Sequence, residues 1–231
     1  MGCHMPLKIA IIDSGINPNH FHVGNVAGGH GYRLNGAGEI ELHPDFSDEI
    51  GHGTAIAGIL SEKAPFADLY AIKIFQKELT ASAYVLMLAL KWAIKAKIKI
   101  IHLSLGIEVE AYREDFNALC KTAYDSGILI LAAARSSRDS IIPAAFQTVI
   151  GVFWDQQCSK DVISYHPGEK IEFGAYGWPR EIPGMPQEMN FRGNSFAVAH
   201  VTGKVAQLVE KYPRAQPAFF KEMLCQKAVK R

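Results

Sequence analysis

The chain reads as an α/β protein: three layers, a mainly parallel sheet with helices on both faces. Three observations predict this. Short apolar runs alternate with segments whose apolar residues recur at helical spacing, the pattern of βαβ units. One run, "ILILAA" at 128–133, is continuously apolar, as expected of a strand buried on both faces. The length of 231 residues and a hydrophobic content of 48% suit one large domain with an ample core. Residues 1–231 are therefore read as a single domain, with "MGCHM" at 1–5 as a vector-derived start and Met5 as the natural one.

The elements follow in order. Residues 8–12 form a short strand that runs into the turn "DSG". A helix opens at His52, with Thr54 near its first turn. "DLYAIKIF" at 68–75 is a strand. Residues 82–96 have helical spacing and open on a capping serine, Ser82. "KIKIIHLSL" at 97–105 is a strand, and 110–126 is amphipathic, with Gly127 as its stop. Strands follow at 128–133, 148–153, 162–165 and 171–175. Pro179, Pro183 and Pro186 mark a loop. A long helix starts near Ser195 and ends near Tyr212, before Pro213, and a last helix starts near Pro217. The glycine-rich stretch "HFHVGNVAGGH" at 20–30 is read as a loop whose histidines, His20, His22 and His30, are solvated. Trp92 is read as core, and His200 as a packing or hydrogen-bonding residue of the long helix.

Composition excludes several classes. Formal net charge is +1, from 24 basic and 23 acidic residues, so no basic surface for nucleic acid is expected. The apolar runs are too short to span a membrane. Cys3, Cys120, Cys158 and Cys225 match no zinc spacing and read as reduced thiols. With no visible export signal, the expected compartment is the cytoplasm.

In parallel sheets the chemistry collects at the carboxyl ends of the strands. Asp13 ends the first strand in "IAIIDSGI". His52 opens the helix of "GHGTAIAGIL". Ser195 opens the helix of "GNSFAVAHVTG". Singly, each has a bland reading: an Asx turn, a structural histidine, and a helix cap formed by Asn194 or Ser195. Taken together, in the order Asp, His, Ser, the three motifs resemble those of the subtilisin-like serine proteases. "APFADLYAIKIF" and "IIHLSLG" extend the likeness, so that it covers about 8–227.

The resemblance implies a serine endopeptidase with Asp13, His52 and Ser195 as its triad, needing no cofactor. It implies an extended peptide substrate lying against Ser104, Leu105 and Gly106, with Ala133, Ala134 and Arg135 on the facing segment. It places the oxyanion hole at the Ser195 backbone and at Ser136. Four departures stand out. "LAAARSSRDS" has Arg135 and Ser136 where the family usually has Gly-Asn. Ala199 stands where a proline is common. The short link "SEKAPFADLY" leaves no room for the calcium loop of many relatives, so no metal is expected. "FQKELTASAY" lacks the glycine-rich strand that often walls the cleft. Hydrolysis of a specific precursor peptide is the leading expectation. An inactive peptide-binding module and a transpeptidase or macrocyclase stay open beside it.

Overall fold

Alternation along β1 (Lys8–Asp13) sorts its side chains between two cores. Ile9 and Ile11 enter one, Ala10 and Ile12 the other. The computed structural model describes residues 6–231, in which the strands form one sheet ordered β10-β8-β9-β7-β6-β5-β1-β4-β2-β3. These are β2 (Val26–Leu34), β3 (Ile40–His43), β4 (Asp68–Lys73), β5 (Ile100–Leu103), β6 (Leu129–Ala133), β7 (Ile150–Trp154), β8 (Ile163–Tyr165), β9 (Phe173–Ala175) and β10 (Val229–Lys230). All pairings are parallel except β2–β3 and β8–β9.

The helices flank this sheet on both sides, as the sequence predicts. α1 (His52–Lys63), α4 (Asn194–Lys211) and α5 (Pro217–Lys227) share one core with Ile9, Ile11 and Leu131. α2 (Ala83–Lys95) and α3 (Arg113–Asp125) share the other with Ile12, Ile101 and Ile130. The Ser82 hydroxyl accepts the Val85 N–H at 3.2 Å, so α2 begins where a capping serine is expected. Gly127 takes φ 75° and ends α3, a conformation an L side chain resists.

Two expectations are corrected. The stretch at 26–34 is strand β2, not loop. Its glycines hide it, because glycine is depleted in strands, yet here glycine is required: a Cβ on Gly29 would lie 2.8 Å from the Ala71 carbonyl and 2.6 Å from the Phe46 ring. His30 is consequently buried rather than solvated, against Trp92, Tyr32 and Tyr70, and burial lowers its pKa to about 4. His20 and His22 do lie outside the strands. The second correction concerns α4. Neither Asn194 nor Ser195 caps it; Gly193 holds the cap position without a side-chain bond.

Cys120 and Cys158 are buried, Cys225 is half-buried, and all three are free; burial drives the Cys120 thiol up to about 12. Cys3 and Met5 lie outside the described residues. Among the described residues no helix is long and apolar enough to cross a membrane.

Candidate active site

The winding of the sheet reverses at β1. The chain lays β4 on one side of β1, then crosses through α2 to place β5 on the other. A crevice forms outside the carboxyl ends at such a point. Asp13 closes β1 there, and Ser104 follows the end of β5.

Asp13 is fully buried and saturated with donors. Its Oδ1 contacts His52 Nδ1 at 2.8 Å, and also accepts the Ser14 N–H at 2.7 Å and the Ser14 hydroxyl at 3.1 Å. The Ser104 hydroxyl donates to Oδ2. A buried carboxylate so supplied stays ionised: burial works against the charge, and His52, Ser104 and the Ser14 backbone outweigh it, lowering the pKa. The same contact acts oppositely on His52. Burial disfavours the imidazolium, and the Asp13 carboxylate overcomes it, so the ring's pKa is raised.

Two residues that the sequence reading passed over hold His52 in place. Asp48 accepts N–H bonds from Gly51 (2.8 Å), Ile50 (3.0 Å) and Thr54 (2.8 Å), and the Thr54 hydroxyl at 2.6 Å. A carboxylate at a helix N-terminus satisfies its orphan donors and its dipole. Its signal was an acidic residue four before His52. Ser14 accepts the Gly53 N–H at 2.9 Å, tying the start of α1 to the end of β1. Gly53 has to be glycine, because a Cβ there would lie 2.2 Å from the Gly15 carbonyl oxygen. Phe191 and Phe196 flank the imidazole, with ring centroids 5.7 and 5.2 Å away.

Ser195 sits in the first turn of α4. Asn194 fixes that turn from the side: its Oδ1 accepts the Trp154 N–H of β7 at 2.8 Å, and the Gly193 N–H donates to the Gly177 carbonyl at 2.7 Å. The Ser195 hydroxyl donates to the Ser104 carbonyl at 3.1 Å. Ser104 thus joins the set, its hydroxyl on Asp13 and its carbonyl on Ser195. Ser195 and His52 share no hydrogen bond in this arrangement.

The segments assigned to substrate divide. The backbones of Leu105 and Gly106 make no hydrogen bond to described residues and form a short free edge. It stops at Ile107, whose N–H and carbonyl both pair with Ile142. Ile141 floors the edge, so close that a Cβ on Gly106 would meet its Cγ1 at 2.5 Å. Ala133 and Ala134 are buried, and the Ala134 N–H is spent on the Val152 carbonyl at 2.8 Å. The Arg135 guanidinium is held by Asp139 through Nε and Nη2, both at 2.9 Å, and by Glu108 at 2.5 Å. The Arg135 guanidinium, with the N–H groups of Arg135 and Ile141, outweighs burial and keeps Asp139 far below the usual carboxylate range. Ser136 is exposed, and its carbonyl accepts the Asp139 N–H at 3.2 Å. Beside the first turn of α1 lies a cavity of about 200 Å³ lined by Thr54, His20, His22, Asp48, Ile182 and Phe191 among others.

Comparison with known proteins identifies relatives of the whole chain. The chain is 29% identical over 227 residues to a thermostable alkaline protease of Halalkalibacterium halodurans, covering 89% of this chain and 57% of that one. It is 28% identical over 183 residues to the minor extracellular protease Epr of Bacillus subtilis, covering 74% of this chain and 27% of the relative. The chain therefore spans about a quarter to just over half the length of these relatives. Among solved structures, a lanthipeptide protease superposes with TM-score 0.72 at 21% identity over 94% of this chain and 78% of its own. The epidermin leader peptide processing serine protease of Staphylococcus aureus also gives 0.72, at 19% identity over 96% and 69%. At such identity these two speak for the fold alone. The sequence model of the Subtilase family, peptidases of the S8 class, matches residues 6–231, and the chain belongs to that family.

Proposed function

We propose that this chain is a serine endopeptidase that cuts a specific precursor peptide through an acyl-enzyme. The observation that carries the reading is the buried 2.8 Å contact between Asp13 Oδ1 and His52 Nδ1, beside a serine held in the first turn of a helix. The Ser195 hydroxyl leaves the Ser104 carbonyl and turns to His52 Nε2. His52 takes its proton as Oγ attacks the peptide carbonyl, then gives it to the departing amine. Asp13 holds the ring in the tautomer this requires and stabilises the imidazolium. Water repeats the sequence on the acyl-enzyme. The Ser195 N–H, at the positive end of α4, is one donor to the oxyanion.

The substrate lies extended along the free backbone of Leu105 and Gly106, a strand-addition mode. With only two free residues before the Ile107–Ile142 bridge, recognition on this side is brief. The cavity near Phe191 supplies contacts on the other. Because so few backbone groups pair with the substrate, the choice of cleavage site falls to side-chain contacts, which suits processing at one site. The superposition on a lanthipeptide protease and on a leader peptide processing protease is in keeping with that choice. We place the activity in the cytoplasm, on the three free thiols; fractionation of producing cells checks it.

A second reading has its own support. Arg135 is occupied by two carboxylates and Ser136 is exposed, so no amide side chain stands where the family's asparagine does. Removing such a donor costs about 100- to 1,000-fold in turnover. The chain would then bind peptides without cutting them efficiently. Fluorophosphonate labelling of Ser195, with product masses from a peptide library, separates the readings. Labelling with hydrolysed products supports the peptidase; ligated products indicate a transpeptidase. Peptide binding without labelling leaves the binding module.

A further inference from the structure

A second group of charged side chains lies along α4, beyond the turn that holds Ser195. A cavity of about 170 Å³ opens there, between the last turn of α1, the 160–163 segment and α4. Lys63, Lys160 and Lys204 line it, together with Asp161, His200 and Gln207. Lys63 Nζ bonds Asp161 at 2.7 Å, and Lys160 Nζ bonds Glu62 at 3.0 Å. Lys204 forms no ion pair among the described residues. Three ammonium groups thus face one lining carboxylate, with Glu62 drawing on Lys160 from outside.

The site is built rather than incidental. Gly203 makes a notch for Lys63: a Cβ there would lie 2.6 Å from the Lys63 Cβ. The Lys63 side chain is accordingly only 13% exposed. His200 is 4% exposed. Its Nε2–H donates to the Trp178 carbonyl at 2.9 Å, which orients the ring and leaves Nδ1 buried without a partner. Tyr176 packs edge-on against the same ring, with centroids 5.6 Å apart. Burial pushes His200 down to about 4; Lys63 and Lys160 add to this, while the Trp178 carbonyl and Asp161 oppose it.

Three ammonium groups around one cavity, against a single lining carboxylate, suit an anion that accepts charge-assisted hydrogen bonds. We propose that this cavity binds a small free oxyanion of the sulfate or phosphate class, held by Lys63, Lys160 and Lys204, and that its charge favours protonation of the adjoining His200. The bound charge raises the affinity of Nδ1 for a proton, so oxyanion binding strengthens as pH falls towards the range where His200 titrates. Asp161 is 80% exposed and yields Lys63 cheaply, since exposed ion pairs contribute little.

Sulfate is the probe, because it stays a dianion across the range. At constant ionic strength against chloride, sulfate is expected to move the NMR titration of His200 upward by at least one pH unit. It should raise Tm more at pH 5 than at pH 8. Lys204 is exposed on α4, so Lys204→Ala and Lys204→Glu leave the fold intact, as sulfate-free Tm verifies. The first should weaken sulfate at least threefold and the second abolish it. An equal response to chloride overturns the proposal, as does unchanged sulfate affinity in Lys204→Glu.

Discussion

At the scale of single residues, the electrostatics of Asp13 and His52 make definite demands. Only neutral His52 can accept the Ser195 proton. Burial lowers its pKa and Asp13 more than restores it, so kcat/KM should rise with pH through a value above the ordinary imidazole value of about 6.5. Asp13→Asn removes the raising influence and leaves the burial. The acid limb should move to lower pH while turnover falls by about 10⁴. A pH–rate profile of both forms checks this, and an unshifted limb would assign it to another group. Ser195→Ala should abolish both hydrolysis and labelling. The losses in His52→Ala and Asp13→Ala should not add to it, because the three act as a unit. Residual cleavage by clean Ser195→Ala protein would remove Ser195 from the mechanism. Ser136→Ala should lower kcat with KM unchanged, since the oxyanion exists only in the transition state. Unchanged kcat would place the second donor elsewhere.

At the scale of elements, the site depends on how α1 meets β1. Gly53→Ala puts a methyl 2.2 Å from the Gly15 carbonyl, a main-chain atom that cannot step aside. The start of α1 must shift, carrying His52 away from Asp13. We expect a stability loss of about 1–3 kcal/mol by overpacking and a loss of kcat larger than that of global stability. Denaturant melts beside kinetics measure both; native-like turnover would show that the junction can relax. Asp48→Ala should cost about 0.5–2 kcal/mol as a lost helix cap. It also removes a negative group that raises the His52 pKa, and so moves the acid limb downward.

For the molecule as a whole, the short link between α1 and β4, residues 64–67, carries the expectation of no calcium site there. Chelator should leave Tm unchanged within error. A chelator-dependent drop of several degrees would show that metal contributes to the fold.

The sequence by itself determined the five helices, strands β1 and β4 to β9, and the family, because these reside in local patterns. Apolar period marks strand and helix, and Asp13, His52 and Ser195 stand at element ends, where polar residues interrupt the apolar pattern. What tertiary structure decided involves contacts between segments far apart in the chain. Glycine at 29 and 31 reads locally as loop, and only the crowding of Phe46 and Asp45 over β2 makes glycine the residue that fits. Ser104 looks like a substrate-edge residue, and the fold adds its bonds to Asp13 and Ser195 across 91 positions. Asn194 reads as a cap until β7 arrives to claim its oxygen. Arg135 could face a substrate or an oxyanion on sequence alone. Its guanidinium is committed to Glu108 and Asp139, because ion pairing is settled by which charges the completed fold brings within reach.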